Sequence, residues 1–247
     1  MKPTNKSLVL KLDDLYVIDP MTPTQQHVFN DWNKYPIHIL HGVAGTGKSF
    51  ISVYKALNDV LNTHNRYKRL VLLRSAVSAR DIGHLPGDEN EKAAVYELPY
   101  EEICHILFGK RDAYQRLKEQ HKIQFGLTSF LRGITFDDSI VIVDEIQNMS
   151  YVELYTVMTR IGENSKVIFC GDYRQTDLKG SGLQKFLDVL NCMKSVCHYE
   201  FTVDDIVRSA IVKEFIIAES NIKDKKEAVY LPQMVKFEPN YLGTTTQ

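Results

Sequence analysis

Two clusters of residues in this chain have the types and spacing needed for phosphate chemistry. The first is "HGVAGTGKSF", residues 41 to 50, where Gly42, Gly45, Gly47, Lys48 and Ser49 fit G-x-x-x-x-G-K-[ST]. Glycines let the backbone turn its N–H groups inward and approach phosphate oxygens closely. The loop Gly42-Val43-Ala44-Gly45-Thr46-Gly47, continuing through Lys48, Ser49 and Phe50, is therefore read as a cradle for a nucleoside triphosphate, ATP. A helix beginning near Lys48 adds its positive dipole end. Lys48 would neutralise the β- and γ-phosphates, and the Ser49 hydroxyl would ligate Mg²⁺.

The second cluster is "VIVDE", ending at Asp144 and Glu145. Asp144 is suited to the Mg²⁺ shell, and Glu145 to orienting or deprotonating an attacking water. Further along, "CGDYRQTDL" offers Gln175 to reach the γ-phosphate and Asp172 to support either the magnesium water shell or the loop. Arg174 is read either as a phosphate or nucleic-acid contact or as a solvated side chain. Upstream, "TPTQQHVFNDW" presents Gln25 and Gln26, either of which could read an adenine edge through its amide, with Gln25 favoured. "DDIVRSAIVKEFI" is read as the start of a late helix carrying Arg208, which could serve as an arginine finger.

These residues need a scaffold, and the apolar pattern supplies one. "IHIL" (37–40), "RLVLLR" (69–74), "SIVIVDE" (139–145), "SKVIFCGD" (165–172) and "HYEFTV" (198–203) read as strands, the middle three without polar alternation. Stretches 49–64, 151–162 and 181–193 carry apolar spacing near 3.6. Such alternation predicts an α/β domain with a predominantly parallel sheet and helices on both faces. Residues 78–134 break the pattern and read as an insertion at one edge. The expected organisation is an extension at 1–20, one ATPase domain at 21–221 and an arm at 222–247.

Composition limits the rest. With 247 residues and a formal net charge of −1, no whole-protein field attracts nucleic acid, so any such site must be a local basic patch. The four cysteines, at 104, 170, 192 and 197, lack CxxC spacing and suit a reducing cytoplasm. Cys192, Cys197 and His198 could form half a metal site, but small residues beside a strand are the expected reading. Asp13 and Asp14 interrupt what would have to be the apolar run of a signal peptide, so secretion is not expected. No apolar stretch approaches membrane-spanning length.

Taken in order, "GVAGTGKS", "RSAVSARDIGHLPGD", "LRGITFDDSIVIVDEIQN", "TRIGENSKVIFCGDYRQTDLKGSGL" and "DIVRSAIVKEFI" resemble the PhoH family of P-loop ATPases over roughly residues 20 to 220. The resemblance implies a single RecA-like P-loop domain, similar to the first motor domain of superfamily 1 helicases. It assigns Gly45, Gly47, Lys48, Ser49, Asp144, Glu145 and Gln175 the roles argued above. It also implies association into a homo-oligomeric ring, possibly hexameric, in which Arg208 would reach a neighbour's nucleotide. Ser49 stands where the family more often has threonine, and the loop after Asp177-Leu178 lacks the family's usual proline. No PIN nuclease domain is expected ahead of the core, so the RNA cleavage of the family's two-domain branch is not expected, and neither is a second RecA-like domain.

RNA or single-stranded DNA is the expected partner. Arg66, Lys68, Arg69, Arg74 and Arg80 read as gathered near one strand end, and the insertion adds Lys110, Arg111, Arg116, Lys118, Lys122 and Arg132. Arg74, Arg80 and Arg132 are the named candidates for strand contact. The competing reading is a nucleotide-switched binding or assembly module that moves no strand.

Overall fold

In a computed structural model the described residues are 9–75, 89–131, 133–172 and 182–228. They contain six strands: β1 (Ile37–Gly42), β2 (Arg69–Arg74), β3 (Ile123–Leu127), β4 (Ser139–Val143), β5 (Lys166–Gly171) and β6 (Val196–Phe201). All pair in parallel, in the order β3-β2-β4-β5-β1-β6. The helices are α1 (Pro23–Asp31), α2 (Lys48–Leu61), α3 (Glu89–Phe108), α4 (Ala113–Glu119), α5 (Tyr151–Met158), α6 (Leu183–Asn191) and α7 (Ala210–Ala228). Residues to Arg208 form one compact unit. From Ser209 a second begins, whose described element is α7.

The central strands have no polar face because helices cover both sides. Successive side chains on a strand point to opposite faces, and the packing obeys that parity. Leu70, Leu72, Ile140, Ile142, Ile168 and Cys170 join one core with α1 to α4. Val71, Leu73, Val141, Val143, Val167 and Phe169 join the other with α5 and α6. Residues 9–20 add Leu10 and Leu15 to the first core, and Tyr16 N–H donates to the Leu107 carbonyl of α3.

The five strands expected from sequence are present; the sixth, β3, lies inside the stretch read as an insertion. It is an edge strand with a half-exposed pattern and an internal glycine, so it lacks the continuous apolar run that marks its neighbours. The region 89–127 thus contributes two helices and the sheet's outermost strand.

His38 is the polar exception inside β1. It is fully buried and stacked between Trp32 and Tyr199, with ring centroids at 5.4 and 5.9 Å. Its Nε2 faces the Tyr35 carbonyl at 2.9 Å, so Nε2 carries the proton and Nδ1 accepts from the Tyr199 hydroxyl. Burial, reinforced by the Lys166 charge, lowers its pKa from 6.5 to about 4. The unfolded chain therefore binds a proton that the folded chain refuses. Stability is expected to fall as pH drops from 6.5 towards 4, by roughly 3 kcal/mol in all. Urea unfolding across that range checks it, and His38→Gln should flatten the slope.

Candidate functional site

Because every strand runs the same way, the segments after β1, β4 and β5 and the last residue of β2 emerge at one edge of the sheet. Ligands of open α/β sheets sit at this carboxyl edge. A cavity of about 620 Å³ opens there, lined by the loop at 44–50, Asp144, Glu145, Asp172, Arg74 and Arg208 among others.

The loop after β1 needs its glycines. Gly42 (φ 120°) passes so close to β6 that a Cβ would overlap the Phe201 carbonyl, while Gly45 and Gly47 take φ 76° and 81°. The left-handed Gly47 is the N-cap of α2, whose 14 residues aim their amino end at the loop. Thr46 is fully buried and its hydroxyl donates to the Val43 carbonyl at 3.0 Å, bracing the turn from inside. The Lys48 ammonium lies across the loop, donating to the carbonyls of Gly42 (2.9 Å) and Val43 (2.7 Å). Burial lowers its pKa, opposed by Cys170, Asp172, Asp144 and Glu145.

Across from the loop, the Ser49 hydroxyl donates to Asp144 Oδ1 at 2.9 Å, joining the two sequence-predicted metal ligands directly. Asp144 is buried and Tyr100, on α3, donates its phenol hydrogen to Oδ2 at 3.0 Å. A hydroxyl and a carboxylate oxygen at one point suit Mg²⁺, which usually takes few protein ligands and completes its shell with phosphates and water. Among the described residues no group of three or more His, Cys, Asp or Glu converges on another metal position.

Glu145 sits in left-handed backbone (φ 58°, ψ 44°), which costs a non-glycine residue about 1 kcal/mol or more and is tolerated when surroundings enforce it. The enforcement is visible. Gln147 donates its amide hydrogen to Glu145 Oε2 and accepts from Asp172 N–H at 3.1 Å, bridging the ends of β4 and β5. A Cβ on Gly171 would come within 2.6 Å of Ile146 Cγ1 and 2.7 Å of the Gln147 amide oxygen, so a larger residue there would displace the Gln147 side chain. Arg74 approaches Glu145 Oε1 at 3.9 Å and lies over the Tyr96 ring of α3. Burial and the neighbouring Asp144 raise the Glu145 pKa; Arg74 and Gln147 pull it down.

Gln25 is 3% exposed and also lines the cavity. Its amide donates to the Thr46 carbonyl at 3.0 Å and accepts from Met21 N–H at 2.8 Å. One amide hydrogen and one lone pair remain uncommitted by these two bonds. Gln26 instead bonds Asn30 on the exposed side of α1. Arg208 precedes α7 instead of riding on it. It is held at the cavity by Val207 N–H donating to the Gly45 carbonyl at 3.1 Å. Gln175, Arg174, Arg80 and Arg132 lie outside the described residues.

The expected basic gathering divides. Arg66, Lys68 and Arg69 are at or before the amino end of β2, while Arg74 closes its carboxyl end. Five residues of extended chain, about 16 Å, separate Arg69 from Arg74. Lys68 pairs with Asp138 and Arg69 donates to the Ser139 hydroxyl. In the insertion, Lys110 pairs with Asp14, Arg116 with Asp112 and Lys118 with Glu97, while Lys122 donates to the Val60 carbonyl. The described cations are thus not gathered at one strand end, since Arg66, Lys68 and Arg69 lie at the opposite end of β2 from Arg74.

Two positioning residues had weak sequence signals. Gln147 stands two places beyond Glu145, where its reach back to the carboxylate is a matter of turn geometry. Tyr100 sits 44 residues from Asp144 in a stretch without a motif. Removing its hydroxyl in Tyr100→Phe should raise the Mg²⁺ concentration needed for tight nucleotide binding by roughly 10-fold, as loss of an outer-shell partner does. Nucleotide affinity without metal should not change. A fluorescent-nucleotide titration against Mg²⁺ checks this, and a curve superposing on the wild type would exclude the role.

Strand order completes the assignment of class. The phosphate-loop strand β1 and the acid-bearing strand β4 are separated by β5, the RecA-like arrangement, so the molecule is a RecA-like P-loop domain. The family described as "PhoH-like protein" matches residues 17–219, and the chain belongs to that family. The PhoH-like protein of Bacillus subtilis is 38% identical over 181 residues, covering 72% of this chain and 56% of that protein. The PhoH-like protein of a Synechocystis species is 32% identical over 217 residues, covering 86% and 65%. The chain thus spans about three fifths of the length of these relatives. Among solved structures, the large terminase of a thermophilic bacteriophage superposes with TM-score 0.47 at 18% identity, over 80% of this chain and 50% of that one.

Proposed function

We propose that this protein binds Mg-ATP and hydrolyses it with water, coupling turnover to RNA or single-stranded DNA as a cytoplasmic homo-oligomeric ring. The observation carrying the hydrolytic part is the meeting of Lys48, Ser49, Asp144 and Glu145 at one cavity, with Ser49 and Asp144 in direct hydrogen bond. Ser49 and Asp144 would hold Mg²⁺, which would supply charge neutralisation at the triphosphate. Lys48 exchanges its two loop carbonyls for phosphate oxygens, so the same ammonium serves both states. Glu145 accepts the proton of the attacking water, and Gln147 keeps its carboxylate aimed. Arg208, at the rim of its own chain's cavity, supports a role in cis on the transferring phosphoryl group. Gln175 completes the set as the γ-phosphate reader.

One observation favours the alternative, a nucleotide-switched assembly module: Lys110, Arg116 and Lys118 of the insertion are each paired with an acid. Among the described residues no helix is long and apolar enough to cross a membrane. ATP hydrolysis measured with and without single strands, alongside solution mass, separates the readings. Stimulation by RNA or DNA with strand separation supports the first. ATP-dependent assembly indifferent to strands supports the second. Mixing Arg208→Ala with Glu145→Gln subunits should restore no activity if Arg208 acts in cis; recovery would place it on a neighbour's nucleotide.

A further inference from the structure

At the amino end of the sheet, opposite the phosphate loop, a second cavity of about 510 Å³ lies between the α1–β1 and α2–β2 connections and the start of β5. Its lining includes Asn33, Lys34, Asn65, Arg66, Tyr67 and Lys166, and no acidic residue. Lys166 is the unusual member. It is 2% exposed, lies over the Trp32 ring at 4.4 Å, and donates to the Trp32 carbonyl and the Asn33 amide oxygen. No carboxylate is within ion-pair distance of it among the described residues. Asp59, the acid whose charge it feels, already accepts from Trp32 Nε1 at 2.8 Å.

Lys55 and Arg66 add two more positive charges close enough to act on Lys166. Arg66 stacks on Tyr67 at 5.0 Å and donates one N–H to its hydroxyl. No ion pair engages the rest of that guanidinium fork among the described residues. A buried ammonium whose nearest acid is out of ion-pair reach is costly. Burial together with these cations pushes Lys166 down to about 8, which still leaves it mostly protonated at neutral pH. Burying a lysine and facing it with an arginine and two amides, with no acid in the cavity lining, is the construction of an anion site.

We infer that this cavity binds a phosphate-bearing ligand, with Lys166 as the buried charge and the Arg66 fork as the exposed clamp. A planar guanidinium suits bidentate phosphate contact. The volume accommodates a mononucleotide or one nucleotide unit of a strand, not merely a lone ion. The site is distinct from the phosphate-loop cavity and shares no lining residue with it.

The test is made on Lys48→Ala protein, which weakens the other site. Thermal unfolding is followed with inorganic phosphate, adenosine monophosphate or a ten-nucleotide single strand, each against sodium chloride of equal ionic strength. At least one phosphate probe should give a saturable rise in Tm that sodium chloride does not. Arg66→Gln, an exposed substitution that leaves the cores intact, should shift the half-point at least 10-fold higher, and Lys166→Met should abolish the rise. Saturation by phosphate or the monophosphate at lower concentration than the strand identifies a small ligand; the reverse identifies a nucleic-acid backbone. No probe-specific rise, or an unaltered rise in Arg66→Gln, overturns the inference. If Lys48→Ala binds ATP like the wild type, the phosphate-loop reading fails, and the Arg66 comparison still decides this one.

Discussion

Lys48→Ala protein is expected to bind Mg-ATP roughly 100-fold more weakly than the wild type. The ammonium now satisfies the carbonyls of Gly42 and Val43 at 2.9 and 2.7 Å, distances at which it can equally serve phosphate oxygens at the same place. A charge-assisted hydrogen bond contributes about 1.5–3 kcal/mol, and 2.7 kcal/mol corresponds to about 100-fold in affinity. The effect should be on binding, not on folding, because Lys48 begins α2 and alanine suits a first helical turn. Calorimetric titration with a non-hydrolysable ATP analogue measures it. Wild-type affinity in the variant would mean that the loop does not cradle the triphosphate.

Glu145→Gln should show the opposite separation, with binding retained and turnover lowered by a factor of about 10² to 10⁴. The amide is nearly isosteric, so the strained backbone at φ 58° and the contact with Gln147 can persist. What disappears is the group proposed to accept the water's proton. Burial and charge repulsion from Asp144 already raise this carboxylate's proton affinity, which suits a base working near neutrality. Single-turnover hydrolysis at saturating ATP isolates the chemical step. Undiminished turnover would remove Glu145 from it and direct attention to Asp172, which shares the same edge and is tied to Gln147.

Much of the candidate site is readable along the chain because its parts are local. A glycine-rich turn between an apolar strand and an amphipathic helix occupies ten consecutive residues, and an Asp-Glu pair ending a buried strand occupies five. Spacing along the chain is then nearly spacing in space. Strand β3 escaped for the reciprocal reason: an edge strand with Gln124 exposed and Gly126 inside carries neither an apolar run nor strict alternation. Gln25 was visible as an amide near the adenine side, but its bond to the Thr46 carbonyl required the fold.

The chain alone pointed to the kind of chemistry proposed, since the glycine-rich loop pattern and the Asp-Glu pair follow from residue type and order. It determined the α/β layering too, because short apolar runs alternate with stretches of apolar spacing near 3.6 along it. Tertiary structure decided which charges face one another. Parallel pairing sends Arg74 to the carboxyl edge and Arg66 to the opposite end of the sheet, although eight residues separate them. Folding brings Tyr100 to Asp144 across 44 residues and Lys110 to Asp14 across 96. Such pairings depend on strand order and helix packing, which are set by the burial of whole apolar faces and leave no periodic trace in the sequence.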